Sequence, residues 1–385
     1  MTARWDAVVV GARVAGASTA LLLARAGLRV LCVDRSRRGS DTVSTHALMR
    51  AGVLQLSRWG LLDAVRQAGT PPIHRTTFHY GSETVSITMR PSPGVDALYA
   101  PRRTLLDDLL VDAAGRAGAE FRHGTAVTGL VRGPGGRVSG VTLRDRHGGQ
   151  RTEQAALVIG ADGRESLVAD AVAAPTVFAG RAATAVVYGY WADLPVDGYT
   201  WAYGPAASSG AIPTNDGLTC VFGGGRPERV AALVRGLGPA GALRELTGAG
   251  PLGPRLGTAP RIGGVRYVRG TPGHLRRPYG PGWALVGDAG YWKDPLSTHG
   301  MTAALRDAEL LAGAVIAAPR PGREQLEALC DYARCRDELS LPMLRVVEKV
   351  AAHDWDMAGI RSLLMEMSST MVDEVELLEG LPDAA

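Results

Sequence analysis

Lysine is almost missing from this chain. Of 42 basic residues only Lys293 and Lys349 are lysines, and the arginines are scattered rather than clustered. The net charge of +4 therefore forms no basic patch, and nucleic acid is excluded as a partner. Cysteine is scarce too. Cys32 and Cys220 fall inside strand-like runs, while Cys330 and Cys335 share a helical stretch at a spacing that fits no metal knuckle. No metal site is expected, and the usage implies a reduced, cytoplasmic setting. No apolar run reaches the ~18 residues of a membrane helix, and the N-terminus has no signal-peptide pattern, so neither stable membrane insertion nor export is expected. Repeats and low-complexity tracts are lacking. What remains is an ordinary globular composition, 46% hydrophobic and 21% charged, over 385 residues. That length exceeds one small core, and two domains are expected.

The organising stretch runs from Asp6 to Asp34. An apolar strand meets Gly11, an Ala/Leu-rich helical run follows, and a second strand ends on the carboxylate of Asp34. This is a βαβ unit in outline. Its first turn brings backbone N–H groups and a helix N-terminus onto a pyrophosphate, and the acid about twenty residues on is placed to hold a ribose. In G-x-G-x-x-G terms, Arg13 stands where the second glycine belongs.

Farther along, 35–45 is a polar loop ending at His46, and Leu48 to Val65 reads as a helix, a break at Gly60, and another helical turn. From Ile73 to Met89 the pattern turns short and β-branched around Tyr80-Gly81-Ser82, a hairpin. An amphipathic helix follows Arg103, then a strand at Glu120–His123, a Gly-rich hairpin, and an apolar strand delivering Asp162-Gly163. Ala183 to Val268 is strand-rich and aromatic, with one broken helix at Pro227–Thr247. A buried strand then ends in Gly287-Asp288, Pro295 and Gly300-Met301 lead into a long helix, and Arg323 to Leu378 is helical.

Three motifs thus stand in order: Gly11 to Gly16 with Asp34, Gly160-Ala-Asp162-Gly163, and Gly287-Asp288 followed by Pro295 and Gly300. Together with Arg50-Ala-Gly-Val-Leu54 and Arg103-x-x-Leu106-Asp107-x-x-Leu110, the order resembles the FAD-dependent monooxygenase superfamily of the para-hydroxybenzoate hydroxylase type, which also holds geranylgeranyl reductases and halogenases. The resemblance covers roughly residues 5 to 320. It implies an α/β fold: a Rossmann-like FAD-binding domain (1–72, 99–180 and 275–320), an inserted antiparallel β-sheet substrate domain (73–98 and 181–274), and C-terminal helices (321–385).

The resemblance further implies non-covalent FAD. Gly11, Ala12, Arg13, Val14, Ala15 and Gly16 would cradle the pyrophosphate, and Asp34 would hold the adenosine ribose. Arg50 and Arg103 would supply positive charge near the phosphates, Asp162-Gly163 would approach from the other side, and Asp288 would accept a ribitol hydroxyl. Arg35 and Val127 also take cofactor positions. Pro295, Gly300 and Met301 belong to a helix start, expected near Ser297, aimed at the pyrimidine edge of the flavin. The family asparagine after Gly-Leu/Met and the histidine after Gly-Asp-Ala are absent here.

The reaction implied is hydroxylation: NAD(P)H, as a transient donor, reduces FAD, O2 adds at C4a, and the hydroperoxyflavin oxidises an electron-rich aromatic or polyketide-like small molecule of bacterial secondary metabolism. His46 and His299 are the candidates for a base with a pKa near neutral. No second nicotinamide-binding βαβ unit is present, so a partner flavin reductase is the other electron source. Two alternatives share the scaffold: a geranylgeranyl-reductase-like reduction of an alkene, and a non-redox protein that keeps FAD as a structural element. The Trp-x-Trp-x-Ile-Pro motif of the halogenases is absent.

Overall fold

The computed structural model describes residues 5–205, 207–248 and 250–382; the outermost ends of the first and last expected segments lie outside them. In chain order, β1 (Trp5–Val10) runs into α1 (Val14–Arg25) and β2 (Val30–Asp34). Helices α2 (Arg50–Arg58) and α3 (Leu62–Gln67) precede the hairpin β3 (Arg75–Tyr80) and β4 (Glu83–Thr88). Then come α4 (Arg103–Arg116), β5 (Glu120–His123), β6 (Thr125–Arg132), β7 (Val138–Asp145) and β8 (Gln150–Gly160). After α5 (Leu167–Ala171) and β9 (Thr176–Ala179) follow β10 (Ala185–Ala192), β11 (Tyr199–Gly204), β12 (Ala207–Pro213) and β13 (Leu218–Gly225). Next are α6 (Pro227–Gly248), α7 (Gly253–Leu256), β14 (Arg261–Val268), β15 (His274–Arg276), β16 (Tyr279–Gly280), β17 (Trp283–Leu285) and β18 (Tyr291–Trp292). Helices α8 (Gly300–Ala317), α9 (Arg323–Ala351) and α10 (Met357–Glu379) close the chain.

The first sheet has β17, β8, β1, β2 and β5 side by side and parallel, with β16 added antiparallel at one edge. Helices cover it, so β1 and β2 carry unbroken apolar runs rather than alternation. Ala-rich α1 and α8 pack together in the main core with Leu21, Leu23 and Leu305 fully buried, each worth about 1.5–3 kcal/mol.

The second sheet runs β14-β10-β13-β12-β11-β3-β4. Its pairs are antiparallel except β3 with β11, because β3 reaches this sheet from a separate part of the chain instead of through a hairpin. Strand β10 is buried on both faces. Val187 and Trp191 face the core that holds Leu243 and Leu246 of α6, while Tyr188 and Tyr190 face the core shared with α9 and α10. Helix α6 breaks at Gly238 (φ 68) and Pro239, as its sequence suggests. A third, small sheet joins β9, β15 and β18.

Candidate active site

The C-terminal ends of β1, β2, β8 and β17 converge on one edge of the parallel sheet. Hydrogen bonds stitch the turns together: Gly11 N donates to Val33 O at 2.7 Å, Ala161 N to Val10 O at 2.8 Å, and Val286 N to Gly160 O at 2.9 Å. Gly11 has φ +104, and a Cβ there would strike the carbonyl oxygen of Ala161. A Cβ on Gly16 would strike the carbonyl oxygen of Gly11. Only glycine lets these turns lie so close. Asp34 is fixed by accepting from Ala12 N at 2.8 Å and Ser36 N at 2.7 Å.

Arg13 occupies the cap position of α1 without a side-chain cap, so first-turn N–H groups stay open. Its Nη1 is buried and has no partner. An open helix N-terminus, a buried unpaired guanidinium nitrogen and a carboxylate at the end of the next strand suit a dinucleotide, and the residues present fit FAD.

Around this cradle, Arg103 pairs with Asp107 at 3.1 Å, both largely buried, and its charge acts on Asp288 and His46. Burial pushes the Asp288 carboxyl up, opposed by Lys293 and Arg103. Asp162 turns its carboxylate onto Ser166 Oγ (2.5 Å) and Val168 N (3.2 Å), while Gly163 adopts φ 83. Arg50 holds Ser92 Oγ at 2.8 Å and Arg90 O at 2.6 Å, which ties it to the loop after β4. Arg35 is exposed, and Val127 packs half-buried against the core that includes Leu31 and Val33.

The helix expected to face the flavin begins later than its sequence suggests. Asp294 caps a single turn at Pro295–Ser297 by accepting from Leu296 N at 3.0 Å. Thr298 then takes a left-handed φ of 52, and α8 starts only at Gly300. His299 caps it through backbone alone, leaving first-turn N–H groups of Gly300 and Met301 open.

Burial lowers the pKa of both candidate histidines. His46 is fully buried at φ 71, its Nε2 2.6 Å from Tyr190 Oη and its Nδ1 without a partner. Burial, with Arg102 and Arg103, lowers its pKa to about 3. His299 sits 2.5 Å from Glu374 Oε2, and burial lowers its pKa despite that carboxylate. Glu374 also binds Arg306, which reaches Asp307 and Ser340. Burial opposes its ionisation, yet His299 and Arg306 hold its pKa at about 2. His299 is thus a strut between α8 and α10.

Several neighbours escaped sequence reasoning. Arg102 lies over the Tyr190 ring at 4.2 Å with its Nε unpaired. Glu374 and Arg306 come from distant helices. Lys293 is buried beside Tyr291, and the rarity of lysine was the signal that could have marked it.

The FAD binding domain family matches residues 4–216. The chain is 35% identical to the probable electron transfer flavoprotein-quinone oxidoreductase YdiS of Escherichia coli, over 43% of this chain but only 38% of that protein. It is 26% identical to the digeranylgeranylglycerophospholipid reductase of Methanocella arvoryzae over 93% of this chain and 91% of the relative. The 6-methylpretetramide 4-monooxygenase of Streptomyces rimosus shares 33% over 43% of this chain and 40% of its own length. The myxobacterial chondrochloren halogenase CndH superposes with a TM-score of 0.81 at 22% identity, over 97% of this chain and 91% of that one, a likeness of fold. With more than half of the chain matched by the FAD binding domain and a glycine cradle built for a dinucleotide, the chain belongs to the FAD-dependent monooxygenase superfamily, with FAD as its cofactor.

Proposed function

We propose that the protein is an NAD(P)H-dependent FAD monooxygenase that hydroxylates an electron-rich aromatic or polyketide-like small molecule. The observation that carries this reading is the polar cluster of His46, Tyr190 and Arg102, set in a wall of aromatic side chains. Tyr188, Trp201 and Phe222 share the buried face with Tyr190, and such a wall suits a flat ring system. Two buried atoms in the cluster, His46 Nδ1 and Arg102 Nε, lack partners. Each supplies one hydrogen bond to a substrate oxygen. Burial pushes the Tyr190 hydroxyl well above its ordinary range, so it stays protonated beside a neutral His46 and orients that ring without exchanging charge.

Bound FAD supplies two-electron transfer and activation of O2. Arg13, Asp34 and Asp288 would hold it, the turns at Gly11 and Gly163 would approach it by backbone, and the open N–H groups of Gly300 and Met301 would meet its electron-rich edge. The apolar wall keeps water from the reacting centre. The nearly full-length match to a digeranylgeranylglycerophospholipid reductase supports a second reading, reduction of an alkene.

The purified protein is expected to be yellow, to release its flavin on acid precipitation, and to bleach with NADH or NADPH. Rapid recolouring in air with oxygen incorporated into an aromatic substrate supports the first reading. A reduced flavin that survives air and saturates an alkene replaces it with the second, and bleaching only with an added flavin reductase moves the donor to a partner.

A further inference from the structure

Lys293 is the odd residue of the site. The chain takes arginine at all but two of its 42 basic positions, yet keeps lysine here, between Asp288 and Pro295. The residue is 4% exposed. Among the described residues no hydrogen bond or ion pair reaches its Nζ, which lies 4.1 Å from the centroid of the Tyr291 ring. Of the neighbouring carboxylates, Glu374 holds His299 and Arg306, and Asp307 holds Arg306 through Oδ1 while its buried Oδ2 has no partner.

An aromatic face recovers only part of the hydration that a buried ammonium loses. Arginine in this place would carry its charge permanently, whereas lysine can shed it. The groups facing Nζ come from four elements: Asp288 in the turn after β17, Tyr291 on β18, His299, Arg306 and Asp307 on or capping α8, and Glu374 on α10. Arg336 of α9 acts on Tyr291 from behind. Burial and Arg306 drive the ammonium down, Asp288, Asp307 and Glu374 hold it up, and the balance falls at about 8. Asp288 is the carboxylate assigned to the ribitol, and Pro295 opens the turn before the flavin-facing helix. Along the chain Lys293 therefore stands between the two elements that the FAD reading assigns to the cofactor.

We infer that Lys293 is the charge-compensating residue of the flavin site: its ammonium offsets the negative charge that arrives on the bound flavin, and where the amine is neutral in the oxidised protein it takes one proton from solvent on reduction and returns it on reoxidation. The two electrons and one hydrogen enter as hydride from a nicotinamide donor. Where the amine starts neutral, the compensating proton forms one N–H bond at Nζ and the net charge of the buried site does not change; where it starts as the ammonium, the standing cation offsets the new charge without further proton uptake. This inference rests on the FAD reading above and adds to it a residue that answers the redox state.

The test measures the midpoint potential of FAD in the holoenzyme from pH 6 to 10, in wild type, Lys293→Met and Lys293→Arg. Below pH about 8 the wild-type amine is already protonated in the oxidised state, and no extra proton is taken up. Above it, reduction takes up one more proton. The reduction equilibrium then falls a further tenfold per pH unit, 29.6 mV for a two-electron couple. Both variants are expected to lack this break. Lys293→Arg keeps its potential at pH 7 near wild type, whereas Lys293→Met, without the cation, loses at least tenfold in the reduction equilibrium. A wild type without the break, or a variant that keeps it, overturns the inference. If Lys293→Met fails to retain FAD, the wild-type and Lys293→Arg profiles decide. A purified wild type without flavin overturns the FAD reading, and this inference with it.

Discussion

The two ends of the proposed cofactor site are built on opposite principles. The cradle at Gly11, Gly16 and Asp34 is made of backbone: glycines that admit close approach, N–H groups left open, one oriented carboxylate. The wall behind the start of α8 is made of buried charge: His299, Arg306, Asp307, Lys293 and Glu374, gathered from α8, α10 and the loop before them. The first needs one contiguous stretch of chain. The second exists only once helices far apart in sequence have packed. A diphosphate keeps its charge through a redox cycle and is met well by fixed dipoles, while a ring whose charge changes calls for groups that respond.

The sharpest way to break this comparison is to remove one partner from the wall. Glu374 and Arg306 are each no more than 2% exposed, and loss of one member of such a pair leaves the other charged and buried. Glu374→Ala is expected to cost about 3–5 kcal/mol in denaturant unfolding of the apoprotein. A loss below about 1 kcal/mol means that the wall does not hold α10 to α8.

The same contrast decides what the sequence could say. Strand β1, the glycine turn, α1 and Asp34 are read directly, because their periodicity and their function lie within 30 residues. The inserted hairpin and the strand-rich block also declare themselves through turn residues, and so does the break in α6 at Gly238 and Pro239. Glu374 gives no such sign, since 75 positions separate it from His299 and an acid near the end of a helix usually faces solvent. Nor does His46 announce its left-handed backbone, or Tyr190 its hydroxyl bond, because both depend on how the second sheet docks against 44–50.

Damage to the cradle should be smaller and should show in cofactor affinity instead of fold. Asp34→Ala and Asp288→Ala each remove an acceptor for a buried hydroxyl and are expected to weaken FAD binding by about 1–3 kcal/mol. Arg13→Ala is expected to fall in the same range, as a charge-assisted bond to phosphate is lost, and to reduce the salt dependence of binding. Wild-type affinity in any of the three, measured by titrating the apoprotein with FAD, removes that residue from the cofactor site.

Acid pH tests the buried histidines. His46 falls to about 3 and His353 to about 4, both chiefly through burial, against about 6.5 in an unfolded chain. The unfolded state therefore binds protons that the folded state refuses. Their stabilising contribution is complete above pH about 6.5 and is lost as pH falls toward 3–4, at up to about 1.4 kcal/mol per pH unit for each. Urea unfolding at pH 7, 6 and 5 should show this decline. His46→Asn, which tolerates the left-handed backbone, should flatten it; an unchanged slope would assign the acid sensitivity elsewhere.

The smallest effect is expected at Arg50, and it sharpens the comparison most finely. By resemblance Arg50 belongs to the phosphates, yet its guanidinium binds Ser92 Oγ and the carbonyl of Arg90. Those bonds join α2 to the loop that follows β4, at a place where water can replace a lost partner. An arginine so engaged cannot also serve a diphosphate without giving them up, which would offset most of what a phosphate contact returns. Arg50→Ala is therefore expected to change FAD affinity by less than about 0.5 kcal/mol, within the range of a surface substitution, while Arg13→Ala costs several times more. Should Arg50→Ala weaken binding as much as Arg13→Ala, the guanidinium must leave Ser92 and Arg90 when FAD arrives. The cradle would then contain one moving part, and the contrast between a fixed cradle and a responsive wall would fail at that residue.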